Sequence, residues 1–197
     1  DAVAIGGVNL QRLVVGISGG SGIVYALDLL DTLSPLSVES HVVVTAGAKR
    51  VIAEEYREPS LDSEIPADVL YNNTDLGAGI ASGSYRTVGM VVVPCSSGTL
   101  AKIAQGFTDN LLTRAAHVTL KERRPLVLVV REAPFSRPML INMLALHDAG
   151  AIILPASPSF YHKPGSITEL IGTVTARVLD RVGIVHDRSP RWKEADV

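Results

Sequence analysis

The chain has 197 residues, 47% of them apolar, with 18 Lys and Arg against 20 Asp and Glu for a formal net charge of −2. That length suits one domain with a substantial core, and the mixed charge excludes a basic nucleic-acid face or a polybasic membrane anchor. A single cysteine, Cys95, excludes an internal disulfide framework and points to a reducing, cytoplasmic setting.

Residues 1–11 lack the charged and long apolar regions of a secretory signal and read as a terminal extension. "RLVVGIS" (12–18) predicts a buried strand and "GIVYALDLLDTL" (22–33) a helix. "SHVVVTAG" (40–47) and "AKRVIAEEYRE" (48–58) repeat the pair, whereas 59–88, rich in Pro, Asn, Gly and Ser, predicts no regular element. "GMVVVPCS" (89–96) is a third strand, followed by helices over 98–106 and 110–122. "PLVLVVRE" (125–132) and "AIILPASP" (151–158) are strands, and 138–150 and 166–183 are helices, the last opened by a capping pair, Ser166 and Glu169. The tail from His186 to Val197 reads as a second extension and holds the one tryptophan, Trp192. No apolar run reaches the roughly 18 residues of a membrane span.

Near-continuous apolar strands alternating with helices imply an α/β fold: a single three-layer sandwich of Rossmann or flavodoxin-like type with a mostly parallel central sheet. Mean hydropathy is positive, which predicts apolar surface buried between subunits of a homo-oligomer. In such sheets ligands bind beyond the carboxyl ends of the strands. Those ends carry Ser18 to Gly22, Thr45 to Gly47, Pro94 to Thr99, Arg131 with Glu132, and Pro155 to Tyr161. Small hydroxyls and glycines suit an anion laid on backbone N–H groups. The glycines at 16, 19, 20 and 22 do not make a dinucleotide fingerprint, Thr45 stands where a ribose-binding acid belongs, and the Lys-Ser/Thr of a P-loop is absent. A mononucleotide with one phosphate, such as FMN, fits better.

Arg114, His117 and Lys121 share a helix face by spacing, which also suits a plain solvated stripe. Arg131 follows an apolar strand, with Glu132 beside it as partner or proton shuttle. The five histidines show no ligand spacing, so no metal is expected. Cys95 reads as a small core residue rather than a nucleophile.

The segments "ISGGSG", "ASGSY" (81–85), "VPCSSGTLAKIAQG", "DNLLTRAAHVTLKERRPLVLVVREAPFS" and "NMLALHDAGAIILPASPSFYHKP" closely resemble the UbiX-type flavin prenyltransferases over about residues 12–192. The sister branch, the FMN-dependent cysteine decarboxylases, carries a "PASANT" stretch and a P-x-M-N-x-x-M-W clamp. "PASPSFYHKP" has neither. The resemblance implies transfer of a dimethylallyl group from dimethylallyl phosphate, or the diphosphate in some members, to N5 and C6 of reduced FMN. It further implies a dodecamer with sites between subunits, and a UbiD-type decarboxylase that uses the prenylated FMN. A cysteine decarboxylase and a non-catalytic flavin carrier are the competing readings.

Residue by residue, the resemblance implies flavin contacts at Gly19, Gly20, Ser21, Thr45, Ser96, Ser97, Gly98, Thr99 and Arg131. Gly20 stands where the family usually has alanine. Prenyl-substrate contacts are implied at Ser82, Gly83, Ser84, Arg114, Lys121, Tyr161, Arg177 and Trp192. Ser21 and Glu55 are implied near flavin N5, with Glu54 one position away, and Glu132 as proton donor to the departing phosphate. Lys121 joins Arg114, Arg131 and Arg177 in an expected cage of cations at the sheet's mouth.

Overall fold

A computed structural model describes residues 11–55 and 65–191. The described chain runs β1 (Gln11–Ile17), α1 (Val24–Leu33), β2 (Val38–Val44), α2 (Ala46–Glu55), β3 (Val69–Tyr71), a short turn of helix (Gly79–Ala81), β4 (Gly89–Cys95), α3 (Ser97–Ala104), α4 (Leu111–Lys121), β5 (Leu126–Val130), α5 (Arg137–Asp148), β6 (Ile152–Pro155) and α6 (Ile167–Val182). All strand pairs are parallel, in the order β3-β2-β1-β4-β5-β6. The order reverses between β1 and β4, so the loops leaving those two strands flank a topological switch point.

Alternation along the strands divides the core in two. Leu13, Val15, Ile17, Val91, Val93, Val127 and Val129 face one side and pack against α1 and α6. Val14, Val43, Met90, Val92, Leu126, Leu128 and Val130 face the other, against α3, α4 and α5. A β-carbon on Gly16 would come within 2.9 Å of Leu112, so the bare glycine lets α4 close on the sheet.

The expected elements are present, shifted by one to three residues at their ends. The exception is β3, a three-residue edge strand inside the stretch expected to be irregular. Its place is fixed by Asp68, whose carboxylate accepts hydrogen bonds from the Ser40 amide (2.7 Å) and hydroxyl (2.8 Å) on β2. The Ser166 hydroxyl caps α6 by accepting from Glu169 N–H at 3.1 Å, while the Glu169 carboxylate reaches Gly165 N–H at 2.7 Å. No helix among the described residues is long and apolar enough to cross a membrane.

Candidate functional site

The loop after β1 is built by hydrogen bonds to its neighbours. Buried Ser18 donates its hydroxyl to Pro94 O and accepts Ser96 N–H, both at 2.8 Å, so it locks the loops after β1 and β4 together. Gly19 lies against α2: a β-carbon there would be 2.9 Å from the Gly47 backbone. Gly22 has φ +100°, a left-handed conformation that glycine adopts without steric cost. Its N–H and that of Ile23 donate to the Glu55 carboxylate at 2.9 and 3.1 Å, so Glu55 caps the start of α1. Glu55, rather than Glu54, therefore reaches the loop. Arg131 donates to Ser21 O at 3.0 Å and does not pair with Glu132, whose carboxylate accepts the Ala133 N–H at 3.2 Å.

Two further helices begin at the same rim. Thr45 accepts Ala48 N–H at 3.1 Å and caps α2. Ser96 accepts Thr99 N–H at 3.3 Å, caps α3, and donates to the Thr99 hydroxyl. Between them lies a cavity of about 400 Å³ lined by Gly19, Thr45, Gly47, Ser96, Gly98 and Thr99, with Asn73, Lys102, Asn110 and Thr113 beyond. Five of the expected flavin residues thus share one cavity, while Gly20, Ser21, Ser97 and Arg131 flank it on adjoining loops. Gly98 faces open space, with no atom within 4 Å of where its β-carbon would stand. An FMN-sized mononucleotide fits this donor set of hydroxyls and the first-turn amides of α3, with Lys102 beyond them paired to Asp109 at 2.7 Å.

Lys102, Asn73 and Asn110 were missed from sequence. Asn73 accepts Leu111 N–H and Leu112 N–H through its main-chain and side-chain oxygens, and Asn110 caps α4. The discoverable signal was Lys102, one helical turn beyond Thr99. Asn73 follows the edge strand that was itself missed. Cys95 is fully buried, and burial pushes its thiol up to about 12, as fits a core residue.

Within one chain the expected prenyl-substrate residues lie in separate places, and Lys121, Tyr161 and Arg177 are not among the residues lining the rim cavity. Helices of a parallel sheet return the chain to the strands' starting edge, so Lys121, at the end of α4, lies at the opposite end. There it pairs with Glu122 and stands 2.6 Å from where a Gly83 β-carbon would be. The Ser82 and Ser84 hydroxyls bond each other at 3.0 Å, and Arg124 clamps the loop through Gly83 O and Tyr85 O. Arg114 donates to Ala81 O at 3.1 Å, while His117 turns to Ile103 O, so the three-residue stripe does not act as one face. The length of α4 and of the seven-residue strand β4, about 20 Å, separates Lys121 and the Ser82–Ser84 loop from the rim, whereas Arg114, in the first turn of α4, follows Thr113, which lines the rim cavity.

Tyr161 and Arg177 form a third group, on the far face of the sheet from α4. They line a cavity of about 490 Å³ beside α6 with Ser157, Thr173, Asp180 and Arg191. Arg177 is exposed and pairs with Asp180 at 3.3 Å. Trp192 lies outside the described residues.

The Flavoprotein family profile matches residues 8–178. A flavin prenyltransferase UbiX of Deinococcus radiodurans is 62% identical over 183 residues, 93% of this chain and 94% of its own length. This chain belongs to the UbiX family of flavin prenyltransferases. The crystal structure of AnUbiX (PadA1) in complex with FMN and dimethylallyl pyrophosphate superimposes with a TM-score of 0.88 at 43% identity, covering 92% of this chain and 97% of that one. A dodecameric FMN-dependent UbiX-like decarboxylase from Escherichia coli O157:H7 matches at TM-score 0.86 and 44% identity, over 92% and 98% of the two chains. The rim cavity is the candidate site for the mononucleotide, and the remaining expected residues lie outside it.

Proposed function

We propose that the protein prenylates FMN, transferring the dimethylallyl group of dimethylallyl phosphate, and that neighbouring copies complete each site. The observation that carries this is the division of the expected residues into three groups that one chain cannot bring together. The relatives support it: one is named for FMN and dimethylallyl pyrophosphate in complex, another as a dodecamer. In a dodecamer, α4 of one subunit and α6 of another would meet the flavin rim of a third surface. Exposed Leu140, Ile141 and Leu144 on α5, with Phe107 and Phe135, supply apolar area for such contacts.

Gly19, Gly20, Ser21, Thr45, Ser96 to Thr99 and Arg131 would hold FMN. Reduced FMN would supply the nucleophiles: the allylic C–O bond breaks, phosphate leaves with its electron pair and the prenyl C1 joins N5, which loses its proton; protonation of the prenyl double bond then lets C6 join the tertiary carbon, with loss of the C6 proton. The chain's own residues manage the charge. Arg114, Lys121, Arg177 and the Tyr161 hydroxyl stabilise the leaving phosphate, with Ser82 to Ser84 placing it. Glu132, one of whose oxygens accepts the Ala133 N–H, would in its acid form donate a proton to that phosphate. Glu55, which caps the loop on which the flavin ring would rest, would take up a proton there, with the Ser21 hydroxyl relaying it. The family resemblance also implies a contact with the prenyl group for Trp192, which lies outside the described residues. The product serves a UbiD-type decarboxylase.

The test is anaerobic incubation with reduced FMN and dimethylallyl phosphate, followed by mass measurement of the flavin. A gain of one dimethylallyl unit is expected; unchanged FMN overturns the reading. Release of carbon dioxide from a cysteinyl peptide would instead place the chain with the cysteine decarboxylases. Glu132→Gln is expected to lose turnover by a factor of about 10²–10⁴ while retaining FMN, whereas a flavin carrier would be indifferent to it.

A further inference from the structure

The Ser82–Ser84 loop has no charged side chain of its own, and the cation that shapes it belongs to none of the expected sites. Arg124, three residues beyond Lys121, is partly buried behind the loop. Its guanidinium donates to Gly83 O at 2.6 Å, to Tyr85 O at 2.8 Å and to the Thr87 hydroxyl at 3.4 Å. Glu122 feels this charge, but its carboxylate bonds Lys121. Among the described residues no carboxylate forms an ion pair with Arg124, so backbone dipoles and a hydroxyl hold its charge.

The chain spends strain to bring Arg124 there. Arg123 ends α4 at φ +57°, a left-handed conformation that glycine usually supplies at this place. Arg123 N–H donates to Leu120 O and Arg124 N–H to Thr119 O, both at 3.0 Å, which closes the helix and fixes the Arg124 backbone. The far end of the loop is fixed as well. The Tyr85 ring lies under the Arg12 guanidinium, 5.1 Å from its centroid, and its hydroxyl is 3.4 Å from His41 Nε2.

Between these anchors the Gly83–Ser84 peptide is trans, so its C=O and N–H point opposite ways. Arg124 claims the Gly83 carbonyl and thereby turns Ser84 N–H away from itself. That N–H has no acceptor among the described residues. The exposed Ser82 and Ser84 hydroxyls lie 3.0 Å apart on the same loop, and Lys121 Nζ reaches over Gly83. Resting on the function proposed above, we propose that Arg124 is a positioning residue for the prenyl substrate: it sets the Gly83–Ser84 peptide so that Ser84 N–H, rather than a carbonyl oxygen, meets the phosphate. Glycine at 83 makes the peptide easy to turn over. Without the guanidinium, a carbonyl dipole can face the anion and repel it.

The test uses initial rates at saturating reduced FMN with dimethylallyl phosphate varied, and calorimetric titration of the FMN-loaded protein with inorganic pyrophosphate. Arg124→Gln is expected to raise KM about tenfold with kcat within about twofold, and to weaken pyrophosphate similarly. Arg124→Lys keeps the charge, but one ammonium lacks the rigid fork that bridges two carbonyls, so KM should stay raised by about threefold. Retention of oxidised FMN reports the fold, and if Arg124→Gln does not retain it, the milder Arg124→Lys decides. A lowered urea midpoint with unchanged KM and pyrophosphate affinity would mark Arg124 as purely structural and overturn the inference. Full recovery of KM in Arg124→Lys overturns it too, because charge alone would then suffice. Absence of prenylated flavin from the unaltered protein would count against the function itself, and the pyrophosphate titration of the same variants would still decide the loop.

Discussion

Gly19 and Gly20 are chemically alike and structurally opposite. A methyl on Gly19 would meet the Gly47 backbone at 2.9 Å, and neither segment can give without moving the start of α2. A methyl on Gly20 would sit 3.4 Å from the Pro94 ring, an ordinary contact. Gly20→Ala is therefore expected to stabilise the protein by about 0.4–1 kcal/mol, by restricting the unfolded chain, with FMN retention unchanged. Urea unfolding and flavin absorbance check both. Gly19→Ala should lower stability and flavin retention together. Both residues stand in the loop after β1, as the sequence implies, but spacing cannot say which glycine faces a backbone and which a ring. Cys95 was legible for a simpler reason: a small apolar side chain ending a strand of valines is core.

At the scale of the element, the helix caps do two tasks. Ser96 both closes α3 and joins Ser18 in fixing the switch-point loop. Ser96→Ala is expected to cost about 1 kcal/mol and to weaken FMN binding, read by flavin titration, more than an exposed serine substitution would. The edge strand β3 depends on Asp68. Hydrogen bonds from the Ser40 amide and hydroxyl hold the Asp68 carboxyl below its ordinary value. Because its folded pKa is depressed, its stabilisation is fully present above the unfolded value of about 3.9 and is lost as pH falls through that value toward the folded one. Asp68→Asn should make unfolding less dependent on pH in the acid range, measured by denaturant midpoints between about pH 3 and pH 6. This strand was not legible because three residues, Val69–Tyr71, are too short for periodicity to register, and a partner 28 residues away supplies the anchor.

At the scale of the whole molecule, the exposed apolar face of α5 ties function to assembly. Leu144 is 62% exposed in the single chain. Leu144→Asp is expected to yield smaller species on size exclusion with light scattering and to depress prenyl transfer, while leaving oxidised FMN on the rim that one chain builds for itself. The sequence by itself determined the layered α/β architecture and the gathering of glycine-serine loops and helix caps at one rim, because these are local patterns and parallel topology delivers all strand ends to one edge. Only the tertiary structure decided where the cations go. Arg114, Lys121 and Arg177 look equivalent in a string of letters. Yet a helix returning to the strands' starting edge carries Lys121 a strand's length from the rim, and packing on opposite faces of the sheet separates Arg114 from Arg177. Charge type is written in the residue, whereas its address is set by the direction and face of the helix that carries it.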